Sequence, residues 1–130
     1  MNKIRKYGLI VIQNKKLLVN RKFNTKLFLM PGGKAIEYET IEECLKRELK
    51  EEHNVEINKV TFFNEYEDIA ANEANTIVLL RLYMGDVMGN VSINNEVEEF
   101  KWVGRNDNQE ILSPVIRNKI FPDLIKNSII

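Results

Sequence analysis

The sequence has one cysteine, one histidine, one tryptophan and three prolines among its 130 residues. A lone cysteine, Cys44, cannot close an internal disulfide, so an oxidising compartment is not indicated. A lone histidine, His53, supports neither a zinc site nor a catalytic dyad. Membrane-length apolar runs are missing too. The stretch Gly8-Leu9-Ile10-Val11-Ile12 is broken by Gln13, Asn14, Lys15 and Lys16, too short for a span or for the apolar core of a signal peptide. The expectation is a soluble, cytoplasmic protein with no membrane partner. Repeats, low-complexity tracts and Pro/Gly-rich linkers are also absent, which leaves one domain over residues 1–130.

Neither charge is in surplus, since 19 Lys+Arg meet 19 Asp+Glu. Long nucleic acid, which attracts a cationic excess, is therefore not an expected partner. The order of the charges is less even. Residues 1–36 carry nine basic side chains and no acid, whereas residues 37–56 carry eight acids against three bases, a local net of −5. Such a segment repels itself unless its carboxylates fan into water or a cation sits among them.

The apolar pattern predicts a β-hairpin from residues 4–12 and 16–22, and a short strand over 26–30 stopped by Pro31-Gly32-Gly33. It also predicts strands over 57–67, 75–84 and 97–103. The strand over 75–84 is apolar on both faces, as a central strand would be. Thr40 with Glu43 spells a capping box for a helix running to His53, and Asn54 suits a left-handed C-terminal cap. Ser113-Pro114 predicts a second helix start, with Pro122 kinking or restarting that helix. The fold class expected is α+β, with a mixed sheet between helices in an α/β/α sandwich.

The first helix breaks its own pattern. At 100° per residue, Ile41, Cys44, Leu45 and Leu49 form an apolar face, while Glu42, Glu43, Lys46, Lys50 and His53 face solvent. Glu48 and Glu52 fall within about 20° of Ile41, inside the apolar stripe, and Glu51 lies on its edge. Burying an unpaired carboxylate costs several kcal/mol. Either this helix end projects into water, or the carboxylates hold a hard cation such as Mg²⁺ or Mn²⁺.

The same residues spell Gly33-x5-Glu39-x7-Arg47-Glu48-Leu49-x-Glu51-Glu52-x-Asn54-Val55. This resembles the Nudix box, Gly-x5-Glu-x7-Arg-Glu-U-x-Glu-Glu-x-Gly-U with U a bulky aliphatic residue. Asn54 stands in place of the last glycine, Ile36 in place of the usual inner loop glutamate and Tyr38 in place of a loop glycine. The later segment Glu96-Val97-Glu98-Glu99-Phe100-Lys101-Trp102-Val103 resembles the family's strand ending in Trp-Val. The resemblance implies a Nudix fold of the α/β/α kind and Mg²⁺-dependent hydrolysis of a nucleoside diphosphate linked to another moiety. It implies that Glu48, Glu51 and Glu52 ligate metal with the Gly32 carbonyl, that Arg47 orients the glutamates, and that Gly33 and Glu39 support them from the loop. It also implies a general base, often supplied from outside the box, with Glu96, Glu98 and Glu99 as the candidates and Glu96 favoured by its spacing from the Trp-Val strand. The alternative is Glu48 itself.

Arg21 and Lys22, late in the second strand, are the expected contacts for a polyphosphate. Cys44 is read as core filler, and Tyr66, Tyr83, Trp102 and Phe23 as aromatics packed in the sheet or at its rim. With no N-terminal extension of the sort many nucleotide-sugar members carry, the first expectation is a MutT-like enzyme, monomeric or homodimeric. Such an enzyme takes a nucleotide or nucleotide derivative, cleaving a nucleoside triphosphate to monophosphate and pyrophosphate. The alternatives are an ADP-ribose or nucleotide-sugar pyrophosphatase and a non-catalytic nucleotide-binding regulator.

Overall fold

The computed structural model describes residues 1–130. Its elements run β1 (Asn2–Ile10), β2 (Ile12–Gln13), β3 (Lys16–Lys22), β4 (Gly32–Gly33), α1 (Ile41–His53), β5 (Glu56–Ile57), β6 (Thr61–Ile69), β7 (Thr76–Met84), β8 (Val87–Met88), β9 (Val97–Val103), a π-helical turn (Ile116–Ile120) and α2 (Phe121–Lys126). No helix is long and apolar enough to cross a membrane.

The central layer consists of two main sheets. One has the order β4-β1-β7-β6 and the other β2-β3-β9, while β5 and β8 make a small ladder. In the first, β1 runs parallel to β7 from Asn2↔Thr76 to Ile10↔Met84, and β6 pairs antiparallel with β7. The expected hairpin therefore survives only at its tip. Ile12 and Gln13 pair with Leu17 and Lys16, across a turn in which Asn14 and Lys15 both have positive φ, as a two-residue hairpin turn requires. Upstream of Val11 the chain leaves β3 and becomes a parallel neighbour of β7. The alternation of Leu9, Ile10 and Val11 is what lets one strand serve both sheets.

That alternation also builds two cores. Leu9, Val11, Leu18 and Tyr83 pack on one face with Leu45 and Leu49 of α1. Ile10, Leu17, Val19, Leu80 and Leu82 pack on the other with Ile116, Ile120, Phe121 and Leu124. A helix covers each face, so the α/β/α layering expected from sequence is present.

Other boundaries differ from expectation. Residues 26–30 form no strand and make only the isolated bridges Asn20↔Leu29 and Phe28↔Leu112. Gly32-Gly33, expected to stop a strand, is itself one, paired with Tyr7 and Gly8 of β1. The strand over 57–67 divides into β5 and β6. In the C-terminal helix Pro122 has no N–H and crowds the preceding turn, which widens until Phe121 N–H reaches the Ile116 carbonyl. The Ser113 carbonyl accepts the Arg117 N–H at 3.0 Å, but its Oγ is buried without a partner rather than capping the helix.

Leu49 is fully buried between α1 and the sheets. Leu49→Ala is expected to lower the unfolding free energy by about 2–5 kcal/mol. Urea denaturation measures this, and an unchanged midpoint would contradict the packing described.

Candidate active site

Helix α1 carries the acidic side chains and is fastened at both ends. Thr40 Oγ1 accepts the Glu43 N–H at 3.1 Å, and Glu43 Oε1 accepts the Thr40 N–H at 2.9 Å. At the other end Asn54 adopts φ 55°, ψ 40° and donates its N–H to the Lys50 carbonyl. The segment before β9 closes the remaining carbonyls. Ser92 N–H reaches His53 O and Asn94 N–H reaches Glu52 O, both at 3.1 Å, and Asn95 Nδ2 donates to Glu51 O at 3.0 Å.

Glu48 and Glu52 do lie on the buried face, only 9% and 2% exposed. Two glycines make room for them. A Cβ on Gly33 would stand 2.7–2.9 Å from the Glu48 carboxylate atoms, and one on Gly32, where φ is 137°, would stand 2.1 Å from the Tyr7 carbonyl oxygen. Gly32 N–H donates to Glu52 Oε1 at 3.0 Å. The paired glycines let a backbone segment lie directly against the helical carboxylates.

Arg47 ties the acidic groups together. Its Nε and Nη2 grip Glu39 at 2.7 and 2.9 Å, its Nη1 reaches Glu48 Oε1 at 2.7 Å and Glu51 Oε2 at 3.4 Å, and Nη2 also donates to the Lys34 carbonyl at 3.1 Å. The guanidinium holds the Glu39 carboxyl down at about 2 and is itself raised, chiefly by Glu39. Burial raises Glu48, with Arg47 opposing. Burial pushes Glu52 up to about 8, because the Gly32 N–H and the Lys22 ammonium only partly offset it.

Lys22 and Arg21 part company across β3. Lys22 turns toward the helix, with Nζ 3.7 Å from Glu52 Oε2 and 3.0 Å from Glu96 Oε1. Burial alone would depress Lys22, but Glu96 and Glu52 outweigh it and raise it. Arg21 points to the opposite side and spends its guanidinium on Glu98, Glu99 and the Thr25 carbonyl. Glu96 is exposed and engaged with Lys22; Glu51 is exposed at the helix edge.

Of the helical carboxylates, Glu52 lines a cleft, together with Lys6, Lys22, Gly32, Glu73 and Ser113. Ile4, Met30, Leu80 and Val115 supply apolar wall. Lys6 is depressed by burial. Nothing in the linear pattern marked Lys6, Asn20 or Ser113 as part of a site. Lys6 stands beside Arg5 and near Lys3 with nothing to single it out, and Asn20 follows the apolar run Leu17-Leu18-Val19 next to Arg21 and Lys22 at a strand end.

Three expectations are corrected or refined. His53, placed on the solvent side by the wheel, is fully buried, because the 92–95 segment folds over the end of α1. Its depressed pKa follows from that burial. Phe23, expected in the sheet or at its rim, follows the end of β3 and is 53% exposed, whereas Tyr66 and Tyr83 are buried. Cys44 is buried, and its thiol is pushed up to about 11 by burial, as suits an inert core residue.

Glu48, Glu51 and Glu52 share a helix end but do not converge as a ready-made cage: Glu48 and Glu51 turn to Arg47, and Glu52 to the Gly32 N–H. Their chemistry nonetheless fits a hard divalent cation. The donors are carboxylate oxygens, and Glu52 Oε2 is buried without a hydrogen-bond partner. The Lys22 ammonium, 3.7 Å from that oxygen, only partly offsets the burial, and a divalent cation there would stabilise the charged carboxylate further.

A family model described as the NUDIX domain matches residues 3–124. Among solved structures, a MutT NUDIX hydrolase from Burkholderia pseudomallei superposes with a TM-score of 0.76 at 18% identity, covering 90% of this chain and 95% of that one. The E. coli ORF135 protein gives 0.75 at 21% identity, covering 98% and 94%. A UDP-X diphosphatase gives 0.75 at 10% identity, covering 99% of this chain and 63% of that one. A comparison with curated proteins returned no match.

In the metal-free protein, the buried Glu52 carboxylate opposes folding as it ionises. Its carboxyl is raised from an ordinary 4.5 to about 8, so the folded state holds the proton more tightly than the unfolded chain does. The contribution of this group to stability is therefore greatest below about 4.5 and is lost as pH climbs toward about 8. Glu52→Gln is expected to add on the order of 2 kcal/mol at pH 8 and to lose that advantage in acid. Denaturant melts of both proteins across pH check this. A pH-independent difference would contradict it.

Proposed function

This chain belongs to the NUDIX domain family, and we propose that it hydrolyses a nucleoside triphosphate to the monophosphate and pyrophosphate with Mg²⁺ or Mn²⁺ as cofactor. Its class follows from the family: a Nudix pyrophosphohydrolase acting on compounds that contain a linked nucleoside diphosphate. The observation that carries the reading is the Glu52 carboxylate, 2% exposed, with an oxygen that receives no hydrogen bond, one turn from Glu48 and at the wall of the cleft that Lys6 and Lys22 also line.

In this reading Glu48, Glu51, Glu52 and the Gly32 carbonyl would hold the metal. When bound, it would neutralise phosphate charge and lower the pKa of a coordinated water. Arg47 fixes the acidic side chains, and Glu39 braces Arg47. The cationic Lys22 and Lys6 face the polyphosphate from the cleft. Ile4, Met30, Leu80 and Val115 pack against the nucleoside, and the free Ser113 Oγ offers it a hydrogen bond. Among the candidate bases, Glu48 is on the helix beside Glu52, and its pKa is raised by burial against the opposing Arg47. Glu96 is exposed and paired with Lys22, whereas Glu98 and Glu99 are taken by Arg21 on the opposite side of β3. Water adds to a phosphorus of the anhydride, its proton passes to Glu48, and pyrophosphate leaves.

The test is a hydrolysis screen over nucleoside triphosphates, dinucleoside polyphosphates and nucleotide sugars with Mg²⁺ or Mn²⁺. Triphosphates are expected to yield monophosphate and pyrophosphate. Glu48→Gln is expected to slow that reaction by about 10²–10⁴-fold while the protein stays folded. Turnover confined to ADP-ribose or another nucleotide sugar would replace the triphosphate reading. Binding of nucleotides without turnover of any of them would leave a regulator instead.

A further inference from the structure

Beneath the carboxylates lies a polar group that the reaction scheme does not use. Leu18, Asn20 and Lys22 alternate along the face of β3 turned to α1, and Asn20 is fully buried. Its backbone is committed to Leu29, through Asn20 N–H to Leu29 O and Leu29 N–H to Asn20 O. Its side-chain amide stands between two neighbours on α1. Nδ2 lies 2.9 Å from His53 Nε2 and 3.5 Å from Glu52 Oε1, while Oδ1 has no partner.

The direction of these contacts is fixed from the far side of His53. Nδ1 of that ring lies 2.9 Å from the Ser92 carbonyl oxygen, which can only accept, so Nδ1 carries the proton. Nε2 of the neutral ring is then an acceptor, and the Asn20 NH₂ is its donor. Turning the amide over would set Oδ1 against the Nε2 lone pair and against a carboxylate oxygen. The buried amide instead forgoes a partner for its oxygen and directs both hydrogens at acceptors. The ring itself is held by the 92–95 segment and by the edge-to-face contact with Phe100, 5.9 Å between centroids at 78°.

We propose that Asn20 and His53 are positioning residues that hold the Glu52 carboxylate in one orientation, with Oε1 turned into the protein and Oε2 presented to a divalent cation. Oε1 receives the Gly32 N–H and the Asn20 amide; Oε2 receives no hydrogen bond and faces the cleft side, where the Lys22 ammonium stands 3.7 Å away. Ser92, through His53 and Asn20, thereby decides which oxygen of Glu52 is free. The proposal rests on the metal-binding reading of Glu52 given above.

Mn²⁺ affinity of the full chain, read by electron paramagnetic resonance, separates the two claims when E52Q is measured beside N20L, N20D and H53F. N20L and N20D are expected to weaken Mn²⁺ binding by about tenfold or more. H53F, which keeps an aromatic ring against Phe100 but removes the acceptor, is expected to weaken it less. The N20L/H53F double variant is expected to bind no worse than N20L, because His53 acts through Asn20. In turnover, kcat falls with little change in nucleotide KM. In the metal-free protein, proton–nitrogen NMR of the imidazole is expected to show Nδ1 protonated and Nε2 bare.

Circular dichroism establishes folding, and N20D and H53F carry the test if N20L does not fold. Wild-type Mn²⁺ affinity in the Asn20 and His53 variants, with binding lost in E52Q, would refute the relay and leave the Glu52 reading standing. Additive losses in the double variant, or an Nε2-protonated ring, would also refute the relay. Wild-type affinity in E52Q would refute the reading of Glu52 itself.

Discussion

The structure is organised around a carboxylate on the wrong side of a helix. Glu52 sits in the apolar stripe of α1 at 2% exposure, one turn from Glu48 in the same stripe. Like charges at this spacing repel, and burial opposes ionisation of each. A fold keeps such a pair only where oriented donors and cations are brought to it. The neighbouring elements supply them: the Gly32 N–H from β4, the Lys22 ammonium from β3, the Asn20 amide beneath, and the Arg47 guanidinium from the helix itself.

The wider fold follows from that need. Gly32-Gly33 can approach the carboxylates because neither residue has a Cβ, and pairing with β1 holds the segment in place. Strand β1 can hold it because the chain crosses between sheets at Val11, freeing β1 to lie beside β7. Arg47 compensates the buried Glu48 and, through its two-pronged grip on Glu39, closes the loop that leads into the helix. The chain's segregation by sign has the same logic. The acid-free N-terminal segment supplies Lys6 and Lys22 to the cleft that the acid-dense helix borders.

Much of this was legible in the sequence because it depends on short-range geometry. The capping box, the left-handed Asn54 and the two glutamates in the apolar stripe all follow from helical spacing, and the structure has each of them. What escaped depends on distant segments. His53 lies on the polar arc of the wheel, yet the 92–95 segment covers it. The strand over 26–30 has the right residues but no neighbour with which to make a continuous ladder. Parallel pairing of β1 with β7 cannot be told from a hairpin by local alternation, since both bury the same faces. Asn20 looked like any polar residue near a strand end until β3 was seen to run beneath the carboxylates.

The central claim is that the charge imbalance at Glu52 is completed by a divalent cation. A cation bound to the folded state alone raises the unfolding temperature in step with the logarithm of its concentration. The decisive measurement is therefore the thermal unfolding of wild-type and Glu52→Gln protein over a series of Mg²⁺ and Mn²⁺ concentrations at constant ionic strength. The account predicts a steady rise for the wild type and a nearly flat response for the variant. Equal responses in the two proteins, whether both rising or both flat, would contradict it.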